Sequence, residues 1–269
     1  GRPYDSGLDP QHHQPVGNGK SGNRDDLQRD LQPEPPGHFL RRGLIMNKHK
    51  ILEIVDRHSK LFRAAFGVIN KFPFNNSWGG VKSNIGLSLL KKCRIVNHGM
   101  NNRIIIGDYS RLNGCSINIS GNNNTLYIGN RCVCNQATFW IEDDNNSIQI
   151  GEHTALCGTI HLAAIEGTKI EIGRDCLFSS IIDIRTGDSH SLIQKGTKKR
   201  LNPSASVKIG NHVWIGTNVT ILKGTSVAEN CTVGAASLLC KQYLNPNCVI
   251  AGVPAKEVKH DIDWMAERI

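Results

Sequence analysis

Residues 183–204, DIRTGDSHSLIQKGTKKRLNPS, place one histidine, His190, beside four cations, Lys195, Lys198, Lys199 and Arg200. These residue types have a definite chemistry. An imidazole titrates near neutral pH and can take a proton from a hydroxyl, and clustered Lys and Arg raise the local concentration of anions. Most of the other histidines are easily set aside. His12, His13 and His38 lie in a proline-rich leader, His49 and His58 in a helical pattern, and His260 past the last repeat. His153 and His212 occupy a turn position that Tyr109 and Arg131 fill in sister units, which predicts structural or solvated roles. His98 and His161 remain alternatives. Trp140, Glu142, Asp143 and Asp144 lie at a repeat edge, where a solvated loop is expected rather than an acceptor site.

The elements that must carry His190 are repetitive. The phrases IIIG, LYIG, IQIG and IEIG end at Gly107, Gly129, Gly151 and Gly173, at intervals of 22 residues, and a fixed period of this size marks a solenoid. Beyond the interruption the frame tightens to six residues: Val207-Lys-Ile-Gly-Asn-His, Val213-Trp-Ile-Gly-Thr-Asn, Val219-Thr-Ile-Leu-Lys-Gly, and on through Val233. Hexapeptides of strand and turn form a parallel β-helix. Ile209, Ile215, Ile221, Val227 and Val233 are predicted to point inward, while Gly, Asn and Asp supply the turns. If three units make a coil of about 18 residues, the 22-residue intervals carry roughly four extra loop residues. The 37 residues from Gly173 to Gly210 are then one coil plus a protruding loop over about 185–205. Long loops on a regular scaffold usually carry a site.

Composition bounds the rest. The chain has 269 residues, 39% of them hydrophobic and 20% charged, enough for a folded core. Residues 1–45 hold six of the ten prolines and seven glycines, and are expected to be a disordered leader or an appended segment, since the first methionine is Met46. Their six cations and six anions cancel, so the net charge of +9 belongs to the remainder and points to a polyanion or a phosphorylated partner. Residues 46–94 are expected to be a helical region, with Ile51, Ile54, Val55, His58, Leu61, Phe62, Ala65 and Phe66 at helical spacing and an end near Lys71, before Pro73. Residues 95–255 form the β-helix and 256–269 a C-terminal segment. No long apolar run or secretory signal is evident, and the nine cysteines (93, 115, 132, 134, 157, 176, 231, 240 and 248) show no CxxC pair. A cytoplasmic protein with reduced thiols and no integral membrane segment is the expectation, although peripheral association stays open.

Four motifs then carry a resemblance: GDSH at 187–190, NHVWIGTNVTILKG at 211–224, VGAASLLCK at 233–241 and VIAGVPAKEVK at 249–259. With them the chain, over about residues 95–260, resembles the hexapeptide-repeat O-acetyltransferases, and within that family the bacterial enzymes that acetylate capsular polysaccharide, notably polysialic acid. The resemblance implies an all-β solenoid: a left-handed parallel β-helix with a protruding loop, an N-terminal helix and a short C-terminal helical segment. It implies an acetyl-CoA-dependent enzyme, a homotrimer with its cofactor groove between subunits, and no metal.

Carried over position by position, the catalytic histidine falls on His190 and the aromatic residue beside the cofactor thiol on Trp214, 24 positions later. Gly216, Ala235 and Ser237 match positions along the pantetheine arm. Cys240 and Lys241 stand where relatives have Thr-Lys, a departure that removes one hydroxyl. Lys256 and Lys259 match basic positions near the phosphates, where Lys acts as a point charge. Arg185, Asp188, Lys198, Lys199 and Arg200 are candidates to bind the acceptor. Asp188 could orient His190, touch the acceptor or cap a turn. In this mechanism His190 deprotonates a sugar hydroxyl for direct attack on the thioester, and the cysteines are spectators. A small acceptor such as a free sugar, serine or an antibiotic is the alternative. A metal-binding hexapeptide protein ranks below both, and nucleic-acid binding is disfavoured because no aromatic-basic strand motif is present.

Overall fold

A computed structural model of the protein describes residues 59–71 and 76–269. The expectations for residues 1–45 and for the start of the helix lie outside the described residues. What is described of the helix is α1 (Ser59–Lys71). Its last turn is stitched to the first coil by buried Asn70, whose side-chain amide donates to Ser88 O and accepts from Leu90 N.

The rest is a parallel β-solenoid of about seven turns. Its strands stack into three sheets of seven, eight and nine members, here called A, B and C, and each strand pairs with the equivalent strand one coil away. The register reproduces the sequence period. Ile148 pairs with Ile170, 22 residues on, Leu177 with Trp214 across the 37-residue interval, and Trp214 with Thr232, 18 residues on.

A parallel coil stacked this way must fill its centre with side chains repeated in register. It does so in columns: Leu90, Leu112, Cys134, Leu156, Phe178, Ile215, Val233 and Ile250 under sheet C, for example, all essentially without solvent exposure. The inward positions predicted at Ile209, Ile215, Ile221, Val227 and Val233 are all buried. At about 1.5–3 kcal/mol for each fully buried aliphatic side chain, these columns are the main stabilising term.

The corners follow the same logic. Closing each turn requires a residue at positive φ, and one corner uses Tyr109, Arg131, His153, Asp175, His212, Asn230 and Asn247 in succession, with φ between 52° and 61°. His153 and His212 are therefore corner residues, as expected of them. Ile181 is the one β-branched residue among the described positive-φ residues, at φ 57°. A left-handed backbone costs an L-residue about 1–2 kcal/mol, and here it sets up strand Ile182–Arg185, which leads into the long loop.

Two boundaries differ from expectation. Strand pairing begins at Lys82, earlier than residue 95, because the first coil lacks the IIIG-type phrase yet keeps the inward Leu90. The C-terminal segment forms no helix. Ala255–Lys259 is instead a strand, antiparallel to Val249–Gly252, and the residues after it are irregular. A strand is favoured there because the edge of sheet C offers unpaired backbone groups that a helix could not satisfy.

Candidate active site

The 186–206 interruption leaves the corner between sheets A and B as a built hairpin. Leu201 N donates to Leu192 O at 2.7 Å and Gln194 N to Lys199 O at 2.9 Å, which puts Lys195, Lys198 and Lys199 around the exposed tip. Gly187 anchors its first residue: a Cβ there would collide with Ser204 Oγ and Ile165 Cδ1, so only glycine lets the loop pack this closely on the coil.

Buried Asn202 is the hub of the base. Its side-chain amide donates to Asp188 Oδ2 at 2.7 Å and to His190 O at 2.8 Å, and its side-chain oxygen accepts from Leu192 N at 2.6 Å. Lys223 Nζ, from a neighbouring hexapeptide, donates to Asp188 Oδ2 at 2.6 Å and to Asn202 O at 3.1 Å. Asn202, itself held by Asp188, thus fixes the backbone that bears His190, while His190 itself is exposed. Arg200 does not extend with the lysines. Its guanidinium meets Glu166 at 2.8 Å and braces the loop on the preceding coil. Neither Asn202 nor Lys223 was singled out in the sequence, since their partners lie 14 and 35 residues away.

The hydrogen bond from Lys223, then that from Asn202, holds the Asp188 carboxyl below its ordinary 3.8. A lowered folded-state pKa means the bond's contribution is complete above about 3.8 and lost as pH falls through the lower value. Protection factors of the Leu192 and Leu201 amides, taken relative to the intrinsic exchange rate at each pH, should therefore be flat from pH 7 to 5 and fall below 3.8. Asp188→Asn should remove this step; an unchanged pH profile in that variant would show that Asp188 does not hold the loop.

Beside the loop, sheet A presents a second group. His161 Nδ1 lies 2.8 Å from Asp183 Oδ1, and Arg185 Nε donates to Asp183 Oδ2 at 2.6 Å. Burial raises the Asp183 carboxyl, but the bonds from His161 and Arg185 more than offset it, and its pKa falls below the ordinary value. Two strands away, Trp140 Nε1 donates to Glu142 at 2.9 Å. Trp140, Glu142, His161 and Arg185 line a cavity of about 330 Å³ whose wall also includes Gly187 and Ser189 of the loop. The sequence left His161 open and read Trp140 and Glu142 as solvated. The signal available was the 22-residue register, which pairs His161 with Asp183 and places Ala163 between Trp140 and Arg185. A larger trough of about 560 Å³ over sheet B is lined by repeat positions and by none of the candidate catalytic, cofactor or acceptor residues.

The positions assigned to the cofactor fall on two regions. Trp214 begins its strand on sheet C and is 39% exposed, turned outward as the alternation predicts. Its register continues through Thr232 and Val249 to Lys259, three strand spacings or about 14 Å away. Gly216, Gly234, Ala251 and Lys256 form the adjacent line. Small residues there leave the sheet surface flat, and Lys256 and Lys259 are exposed at its edge.

Ser237 is buried, its hydroxyl donating to Gly234 O and accepting from Gly252 N, so its polar atom is already engaged. Ala235, Cys240 and Lys241 are exposed on later corners, with the Lys241 ammonium 5.5 Å from the Tyr243 ring. The C-terminal strap crosses this region: Trp264 stacks on His212 at 4.4 Å and lies 6.1 Å from Trp214.

All nine cysteines are free. Cys132 and Cys176 alternate with Ser110 and Thr154 in a column that links the coils, with each sulfur or hydroxyl donating to a glycine carbonyl one coil on. Burial pushes both thiols up to about 11, which leaves them protonated at neutral pH and unsuited to nucleophilic attack.

The arrangement provides an exposed imidazole on a braced loop, a polar cavity at its foot and an outward tryptophan on a flat sheet. Comparisons with known proteins bear on the family and the fold. Residues 206–241 match the family described as bacterial transferase hexapeptide (six repeats). The chain is 39% identical over 107 residues to a polysialic acid O-acetyltransferase of Neisseria meningitidis, covering 40% of this chain and 50% of that protein. It is 38% identical over 109 residues to a putative lipopolysaccharide biosynthesis O-acetyl transferase of Escherichia coli K12, covering 37% and 54%.

The chain therefore spans about half the length of the curated relatives it matches. Among solved structures, that of the polysialic acid O-acetyltransferase OatWY superposes with a TM-score of 0.66 at 36% identity, covering 72% of this chain and 92% of that one. Repeat period, coil stacking, loop and this similarity over nearly the whole of a solved relative converge: the chain belongs to the hexapeptide-repeat O-acetyltransferases, with their left-handed β-helix.

Proposed function

We propose that the protein transfers an acetyl group from acetyl-CoA to a hydroxyl of an anionic bacterial polysaccharide of the polysialic acid type. The observation that carries this is the similarity to a solved polysialic acid O-acetyltransferase across 92% of its length. The second support is the ring of exposed lysines beside His190. The flat face of Gly216, Gly234 and Ala251 beside Trp214 fits an extended pantetheine arm, and Lys256 and Lys259 at its edge fit phosphates. Bound acetyl-CoA supplies the activated acyl group.

His190 takes the proton of the acceptor hydroxyl as that oxygen attacks the acyl carbon, and returns it to the departing sulfur. The chemistry balances without a covalent enzyme intermediate. His190 lies on the loop at the corner between sheets A and B, whereas Trp214 starts a strand on sheet C. A site using both draws them from two copies, which supports a homotrimer. Free thiols throughout support a reducing, cytoplasmic setting, and no helix among the described residues is long and apolar enough to cross a membrane.

The test is thiol release from acetyl-CoA against polysialic acid, neutral polymers, and free sugars, serine and an antibiotic. Because Arg200 is committed to Glu166, the steering group is Lys195, Lys198 and Lys199. Replacing all three by Ala should raise the apparent KM for the anionic polymer several-fold, flatten its dependence on salt, and change short neutral acceptors little. Equal weakening with every acceptor would assign these lysines to the CoA phosphates. Transfer to a small acceptor alone would overturn the polysaccharide assignment.

A further inference from the structure

The lysines account for attraction to a polyanion, but they do not account for the cavity at the foot of the loop. The charged side chains of its lining are Arg185 and Glu142, one of each sign, so it carries no surplus of positive charge with which to hold an anion. What it does carry is an aromatic face and matched donors and acceptors. Trp140 is 41% exposed, and its indole is oriented by the Glu142 carboxylate. Arg185 has one nitrogen spent on Asp183, leaving the rest of a five-donor fork available. His161 has Nδ1 spent on the other oxygen of the same carboxylate, leaving Nε2 available. Both side chains are therefore pinned by Asp183, and their remaining polar atoms are pre-oriented rather than mobile.

The floor is small. Ala163 sits in register between Trp140 and Arg185, so two strand spacings, about 10 Å, separate the aromatic wall from the guanidinium wall. A ring with an apolar C–H face and a rim of hydroxyls matches this layout. Its face stacks on the indole, and its hydroxyls donate to Glu142 and accept from Arg185.

We infer that the cavity lined by Trp140, Glu142, His161 and Arg185, the last two held by Asp183, is a sugar-ring subsite, which reads the hydroxyl pattern of one acceptor residue while the loop lysines read the charge of the chain. This rests on the proposed acetyl transfer only for the word acceptor; binding itself is independent of it. Gly187 and Ser189 form part of the cavity wall, and His190 follows directly in sequence, so a ring held there lies at the foot of the proposed base.

Binding is measured by calorimetry without acetyl-CoA, using a sialic acid trimer and the same trimer with its carboxylates reduced to alcohols. Trp140→Ala should weaken both probes at least about tenfold, and Trp140→Phe should restore most of the loss. Replacing Lys195, Lys198 and Lys199 by Ala should weaken only the charged trimer. Wild-type affinity for both probes in Trp140→Ala would overturn the subsite. So would a fall in assembly mass of that variant by light scattering, since Trp140 would then pack between copies. If the wild-type protein binds the trimers but releases no thiol from acetyl-CoA, the acetyl-transfer reading fails and the subsite stands. If it releases thiol with the polymer but binds neither trimer, the subsite fails alone.

Discussion

His190→Ala should lower the rate of acetyl transfer at least about a hundredfold, the usual contribution of a positioned general base, while melting temperature and acetyl-CoA affinity stay near wild type. The structural half of this expectation comes from where the residue sits. The His190 side chain is exposed on the loop, and what holds the loop there is its backbone carbonyl, which alanine keeps. Surface substitutions of this kind change stability by about 0.5 kcal/mol or less. The chemical half follows from the acceptor. A sugar hydroxyl is almost wholly protonated at neutral pH, so its attack is slow unless a base takes the proton as the bond to carbon forms. Single-turnover rates separate this step from product release. Near-normal turnover in His190→Ala would remove it from the mechanism and turn attention to His161, whose pairing with Asp183 is the arrangement that orients a catalytic imidazole.

The sequence showed what is periodic and hid what is not. Gly107, Gly129, Gly151 and Gly173 announced the coil length, and the structure repeats it residue for residue in the strand register, because stacked coils demand one inward aliphatic per unit and one left-handed corner residue per turn. The loop was legible for the complementary reason, as an interval that breaks the period. The braces of that loop were not. Asn202 braces it from within, across 10–14 residues, while Lys223 and Glu166 reach it from other coils, and no local pattern marks a polar residue whose partner lies so far along the chain.

Arg200 illustrates the cost of reading a charge run as one unit. Its neighbours Lys198 and Lys199 are exposed, while the arginine turns back to a carboxylate. The C-terminal segment misled for a similar reason. The stretch AKEVK is charged enough to continue as a helix, but it lies against an open sheet edge and becomes a strand.

Asn202→Ala should be the most damaging change outside the residues that touch substrate. The side chain is 7% exposed and supplies three hydrogen bonds at 2.6–2.8 Å to Asp188, His190 and Leu192. Alanine leaves these groups to find water at the loop base, at a cost of about 1–3 kcal/mol, which for a chain of this size lowers the melting temperature by roughly 2–10 °C. The larger effect is on catalysis. Freed from Asn202, the backbone at His190 gains room to move, and a displacement of about 1 Å at a reacting group can cost about a hundredfold in rate. A fall in kcat of about 10–100-fold, with acetyl-CoA affinity retained, is therefore expected. Asn202→Asp sharpens the test. It keeps the size and the acceptor for Leu192 but loses both donors and sets a second carboxylate against Asp188, so it should be at least as impaired as the alanine variant, and worse as pH rises through the carboxylate range. If Asn202→Ala turned over like wild type, or Asn202→Asp outperformed it, the hub would not be what positions His190, and the Lys223–Asp188 pair alone would have to carry that role.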